Sequence, residues 1–206
     1  MERVQQYRSQ NNTNRLTAFS DGVFAIAITL LVLNIEVPAM GSSNIASVVF
    51  AEWPDILTYI ISFLVIGIYW ISHHRIFQQI ERQDDRLLWF NLLFLLCVAF
   101  IPFPTSLLGD AITTVTVSLY AATLVVTSII STGLWWYASE VASLVCDNIT
   151  PVQARNHTVH MLAPAVVFAF SILIAWVTPE GAMYFWIILA IVDPIIDRYL
   201  GTQDQM

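Results

Sequence analysis

The sequence predicts an all-α membrane protein with six transmembrane helices per chain and both termini in the cytoplasm. Three observations lead there. Apolar residues make up 57 % of the 206 residues and charged residues only 11 %, where a soluble globular domain carries roughly 25 % charged residues. The stretches between charges supply six segments close to the about 20 apolar residues that a bilayer core demands. On that six-span assignment every arginine falls on one side of the membrane, and the chain has no lysine.

The elements follow in order. A polar segment, residues 1–15, opens the chain and is too polar to begin a secretory signal peptide, so the first apolar segment is expected to remain in the mature protein. Span one covers 16–37, with Asp21 near its start and Glu36 near its end. Span two covers 56–74 and span three 87–109, where Pro102 and Pro104 are expected to stop or kink the helix. Span four, 111–139, is long enough to tilt or project from the bilayer. Span five covers roughly 158–177 and span six roughly 182–199, the latter crowded at its end by Asp193, Pro194 and Asp197. Pro38, Pro54, Pro151 and Pro179 fall at segment edges, where helix starts and stops accept them. The whole chain, 1–206, therefore reads as one six-helix transmembrane domain.

Arg3, Arg8 and Arg15 precede span one, Arg75, Arg82 and Arg86 separate spans two and three, Arg155 separates four and five, and Arg198 follows six. The loops at 39–55, around Asp110 and around Glu180 contain no basic residue. The positive-inside rule then places both termini in the cytoplasm. Glu36, Glu52, Asp55, Asp110 and Glu180 make the opposite face acidic. Such a face raises the local cation concentration at a central opening, or it consists of ordinary solvating acids left after arginines are excluded. A net charge of −7 argues against nucleic acid and against a polybasic lipid anchor. Cys97 and Cys146 lack a CxxC partner and read as small buried residues, not as a disulfide or metal site.

Span one carries the polar residues that need an account. A carboxylate at Asp21, inside an apolar helix, is costly and faces protein or water with a partner. Arg15 and Ser20 are near it on the same helix. The three form either a packing knot or a catalytic or ion-ligating group. Further along, Ile26, Leu30, Leu33 and Val37 repeat at helical spacing, with Thr29 beside them. That stripe alone does not separate a lipid face from a neighbour contact. Span two ends in Tyr69-Trp70-Ile71-Ser72-His73-His74-Arg75. Adjacent histidines cannot share one helical face, so no paired metal site arises from them. Tyr69 and Trp70 fit an interfacial aromatic belt. One of His73 and His74 is in reach of the Arg15, Ser20 and Asp21 end of span one. His157 and His160 have metal-ligand spacing but no acid at matching positions, and no metal or cofactor site is read. There is no GxSxG, HExxH, Walker loop or GxGxxG, and no convergent nucleophile and base, so an enzyme is not expected. A Thr-Val-Gly-Tyr-Gly filter is absent as well.

The run Arg15-x-x-x-Phe19-Ser20-Asp21 resembles the RxxxFSD signature of the transmembrane-protein-175 family, endosomal and lysosomal potassium channels with prokaryotic relatives. The likeness continues through GVFAIAITLLVL, YWISHHRIF and NLLFLLCVAFIPFPT, covering the first half of the chain well. It implies a potassium-permeable channel without a re-entrant filter, lined by span one and assembled as a homotetramer in the plasma membrane of a prokaryote. It also implies a hydrophobic constriction at Ile26, Leu30 and Leu33 and cation selectivity at Thr29. Arg15, Phe19, Ser20 and Asp21 would hold the pore helix against the end of span two, with Trp70 and one of His73 and His74. Few oxygens would ring the ion, so the expected preference for potassium over sodium is modest. The alternative is a proton-coupled secondary transporter using Asp21, for which Pro164 inside span five is the one midplane interruption.

Overall fold

Most helix starts coincide with an N-cap or an early proline. A computed structural model describes residues 2–35 and 52–186, with residues 2–12 as backbone only. α1 spans Glu2–Leu30 and runs into a 3-10 turn at Leu31–Asn34. It absorbs the polar opening segment, whose Glu, Gln and Arg residues favour helix and which has no Gly or Pro before Gly22. α2 spans Trp53–Gln79 with Pro54 in its first turn. α3 spans Asp85–Phe100 and α4 Pro102–Asp110, so Pro102 and Pro104 divide span three at Ile101 while its two parts remain one apolar crossing. α5 spans Thr114–Trp136, capped by Thr113 in a reciprocal box with Thr116, and ends in a π turn at Tyr137–Val141. α6 spans Pro151–Ala175 behind a Thr150–Gln153 box.

Five crossings are long and apolar enough to span a bilayer among the described residues. α2 and α6 reach further toward the arginine-bearing end than the apolar segments 56–74 and 158–177, because charged and polar residues continue a helix once capping and packing are satisfied. A further helix begins at 179 and is described to 186; Glu36, Pro38 and the remainder of span six, with Asp193, Pro194, Asp197 and Arg198, lie outside the described residues. Pro164 does not interrupt α6. Thr132 Oγ1 on α5 lies 3.0 Å from the Met161 carbonyl, about one turn before Pro164, and 2.8 Å from the Ser128 carbonyl of its own helix.

One apolar core joins α1, α2, α3 and α5 through Phe24, Leu31, Ile66, Phe94, Val98 and Leu124. A second, toward the arginine-bearing end, gathers Ile76, Leu87, Trp135 and Ala138. His157 belongs to this end as a ring partner of Trp135, with centroids 4.7 Å apart. Several polar groups within the crossings pair with one another: Ser62 pairs with Tyr120 at 3.0 Å, and Tyr69 donates to the Leu124 carbonyl at 2.9 Å. Cys97 and Cys146 are free thiols and are half-buried, less covered than the buried positions the sequence predicts.

The two arginine-side loops are stitched together. Ile80 bridges Val145, the Glu81 N–H donates to the Leu144 carbonyl at 2.9 Å, and Cys146 N–H donates to the Gln79 carbonyl at 2.9 Å. Asp84 anchors this end as the N-cap of α3, accepting from the Leu87 N–H at 2.8 Å and from the Tyr137 hydroxyl. Burial opposes its ionisation, but the hydrogen bonds from Tyr137 and Leu87 and the Arg86 charge outweigh this and hold its carboxyl below the usual range. The stability it contributes is therefore present above the ordinary carboxylate pKa and lost as pH falls through the lowered folded value. Asp84→Ala is expected to cost about 1 kcal/mol, read as a lower melting temperature in detergent at neutral pH, and the gap to wild type closes in strong acid. An equal gap at both pH values would refute the cap's ionised role.

Candidate functional site

α1 presents two stripes with different fates. Ser20, Phe24, Ala27 and Leu31 are buried against α2 and α3. Ile26, Leu30 and Leu33 lie about 120° round the helix from them. They are exposed, Ile26 at 61 % and Leu33 at 74 % of their surface. Nothing within the chain covers this apolar strip among the described residues. Thr29 sits on its edge and is also exposed. Its hydroxyl has two backbone carbonyls within 2.9 Å, of Ala25 and Ile26, so its proton is taken by its own helix. What Thr29 shows outward is lone pairs.

The motif residues divide between the two faces. Ser20 is fully buried and its hydroxyl donates to the Leu16 carbonyl at 3.0 Å. That leaves the Ser20 oxygen to accept from Asn91 Nδ2 at 3.1 Å, which turns Asn91 Oδ1 toward His73 Nε2 at 2.9 Å. The directions assign His73 its proton on Nε2. His73 is 1 % exposed and held between the rings of Phe77 and Phe94, 4.3 and 5.6 Å away. Ser20 on α1, His73 on α2 and Asn91 on α3 thus join three helices in one buried chain.

Asp21 has a different partner, Trp70 Nε1, which donates to its Oδ1 at 2.8 Å. His74 stacks on Trp70 with centroids 5.6 Å apart and bonds Gln78 at 2.9 Å. The two histidines are therefore distinguished by burial: His73 enters the Ser20 chain, and His74 supports Trp70 from the exposed side. Arg15 and Phe19 lie on the exposed face that continues into Ile26, and Arg15 makes no ion pair with Asp21 among the described residues. Within one chain these two residues face away from the end of α2. Asn91 is the link that sequence reasoning did not place in the network. Its signal was available, a lone amide in the apolar run LLWFNLLFLL, since a buried amide in a membrane helix demands partners.

No group of three or more His, Cys, Asp or Glu is positioned to hold a metal among the described residues. The described arrangement is a helix held on its buried side by hydrogen bonds to α3 and, through Asn91, to α2, with an apolar strip that no other described residue covers.

The sequence model of the family described as the endosomal/lysosomal potassium channel TMEM175 matches residues 15–102. A potassium channel of Streptomyces collinus is 36 % identical over 82 % of this chain and 84 % of its own length. A potassium channel of Chamaesiphon minutus is 35 % identical over 82 % of this chain and 89 % of its own. The crystal structure of a lysosomal potassium-selective channel TMEM175 homolog from Chamaesiphon minutus matches with a TM-score of 0.78 at 31 % identity, covering 90 % of this chain and 97 % of that one.

Proposed function

The chain belongs to the TMEM175 family, and on that premise we propose that it is a potassium-permeable channel whose pore is lined by α1. The observation that carries the reading is the uncovered strip of Ile26, Leu30 and Leu33 on a helix whose opposite side is fixed by the Ser20–Asn91–His73 chain. Four copies around an axis would turn these strips inward and form an apolar neck. Such a neck blocks ions by dewetting, and a small widening lets a partly hydrated cation through. Thr29, with outward lone pairs, supplies oxygens beside the neck. With so few oxygens per ion, the preference for potassium over sodium is real but modest. In this reading the channel is a homotetramer in the plasma membrane of a prokaryote, with both termini cytoplasmic, and it uses no cofactor.

The transporter reading, with Asp21 as a proton carrier, loses support from the geometry. Asp21 is tied to Trp70, and Pro164 sits within a continuous helix and not at a break near a midplane site. The test is purified protein in liposomes holding a potassium gradient, with fluxes and single-channel recordings. Passive potassium flux exceeding that of sodium, with unitary current steps, is expected. Flux coupled to protons at fixed stoichiometry, without unitary steps, would overturn the channel reading and return Asp21 to the centre.

A further inference from the structure

At the arginine-bearing end, an open cleft lies between the π turn after α5, the loop at 142–150 and the start of α6. Its volume is about 560 Å³, within the roughly 300–1,000 Å³ of small-molecule sites. Arg82, Glu140, Asp147 and Arg155 bring four charged groups to the lining, and two serines, a thiol and four apolar side chains complete it. One crossing ends at Val141 and the next begins at Pro151, so the cleft lies at headgroup depth and not in the hydrocarbon.

The four charged groups do not neutralise one another, since no ion pair joins any two of them among the described residues. Arg82 uses one N–H on the Ser143 carbonyl at 2.9 Å and keeps its other guanidinium donors. Glu140, Asp147 and Arg155 are exposed. Two positive and two negative groups around one space suit a ligand that carries both signs. A simple anion there meets two carboxylates, and a simple cation meets two guanidinium groups.

α6 supplies a second observation. Val152, Arg155, Val159, Leu162 and Val166 share one face by helical spacing, and all four apolar members are exposed. α6 packs chiefly on α5 and its π turn, which leaves this strip uncovered among the described residues. Arg155 therefore heads an apolar track that runs into the bilayer, as a phosphate contact above an acyl chain would require.

We propose that this cleft holds the zwitterionic phosphoethanolamine headgroup of a membrane phospholipid. Arg155 and Arg82 bind the phosphate, Glu140 and Asp147 accept from the primary ammonium, and an acyl chain follows the α6 strip. Guanidinium suits phosphate because its N–H groups pair with two oxygens at once. A quaternary ammonium has no N–H to give the acids, and an anionic headgroup is repelled by them, so phosphatidylcholine and phosphatidylglycerol both bind less well. The inference rests on the crossings and not on the channel reading.

The test is native mass spectrometry of the full chain in detergent, titrated with one phospholipid at a time. Phosphatidylethanolamine is expected to bind roughly tenfold more tightly than phosphatidylcholine or phosphatidylglycerol of the same chains, the worth of one charge-assisted hydrogen bond. Arg155→Gln weakens its binding by about the same factor. Glu140→Gln combined with Asp147→Asn acts oppositely on two lipids, weakening phosphatidylethanolamine and strengthening phosphatidylglycerol. Asp85→Asn, an exposed acid in the first turn of α3 outside the cleft, changes neither. Equal binding of the three lipids, or a double variant whose preference does not move toward phosphatidylglycerol, would overturn the site. Glycerophosphoethanolamine, which has no chains, binding as tightly as the intact lipid would overturn the phospholipid as the source and the α6 strip as its track.

Discussion

Replacing Ile26 with Asn raises the resting potassium flux by on the order of tenfold or more, a fall of about 1.4 kcal/mol or more in the barrier at the neck. The argument is one of wetting. In the proposed tetramer, four isoleucine side chains face a narrow axis and give water no hydrogen-bond partners, so the neck empties and the ion meets a desolvation barrier. Four amides at the same height hydrogen-bond water and hold a hydrated column open. Ile26 is 61 % exposed within its chain, so the substitution leaves the buried core of Phe24, Ala27 and Leu31 untouched. Unitary conductance, resting flux and the potassium to sodium ratio in liposomes check it. Flux rises and the ratio falls, because a wetter neck demands less dehydration. A variant that assembles normally but conducts like wild type would remove Ile26 from the pathway.

Asn91→Leu is the second large effect, and it acts on stability. The amide bonds Ser20 and His73 at once. Leucine has the same branched shape and is no smaller, so the expected cost is that of stranded polar groups and not of a cavity. The His73 Nε2–H loses its acceptor in a site that is 1 % exposed, and an unsatisfied buried donor costs roughly 1–3 kcal/mol. Hydrogen bonds between membrane helices often contribute less than about 1 kcal/mol, because the unfolded state finds other partners in the bilayer. Here the ring stacks on Phe77 and Phe94 and is shut off from solvent, so a loss of about 2 kcal/mol is expected. Thermal unfolding in detergent measures it. Adding His73→Phe to Asn91→Leu removes the stranded donor while keeping the ring stack, and regains part of the loss. Strict additivity of the two substitutions would show that the amide does not act through the histidine.

Helix identity and the crossing segments were legible in the sequence because lipid imposes a length and a polarity that no soluble context demands. The one-sided arginines carried the orientation argument for the same reason, since charge distribution across a bilayer is a one-dimensional property of the chain. The exposed strip was legible only as a spacing. At Ile26, Leu30 and Leu33, periodicity identifies one face of α1 but cannot say whether helix, lipid or a second subunit meets it.

What the tertiary structure decided were the pairings across helices. His73 and His74 are neighbours in sequence, yet about 100° of helical rotation separates them, sending one into the Ser20–Asn91 chain and leaving the other to stack on Trp70. Arg15 and Asp21 share a motif, but Asp21 takes Trp70 as its donor. Asp55 and Gly109 are far apart in the chain and meet only because α2 and α4 pack at the same end of the bundle. Hydropathy and charge sum along the chain, so the sequence by itself determined the helices, five of the six expected crossings and the family likeness. A hydrogen bond depends on the distance and direction between two atoms on different helices, and only the packed fold sets those.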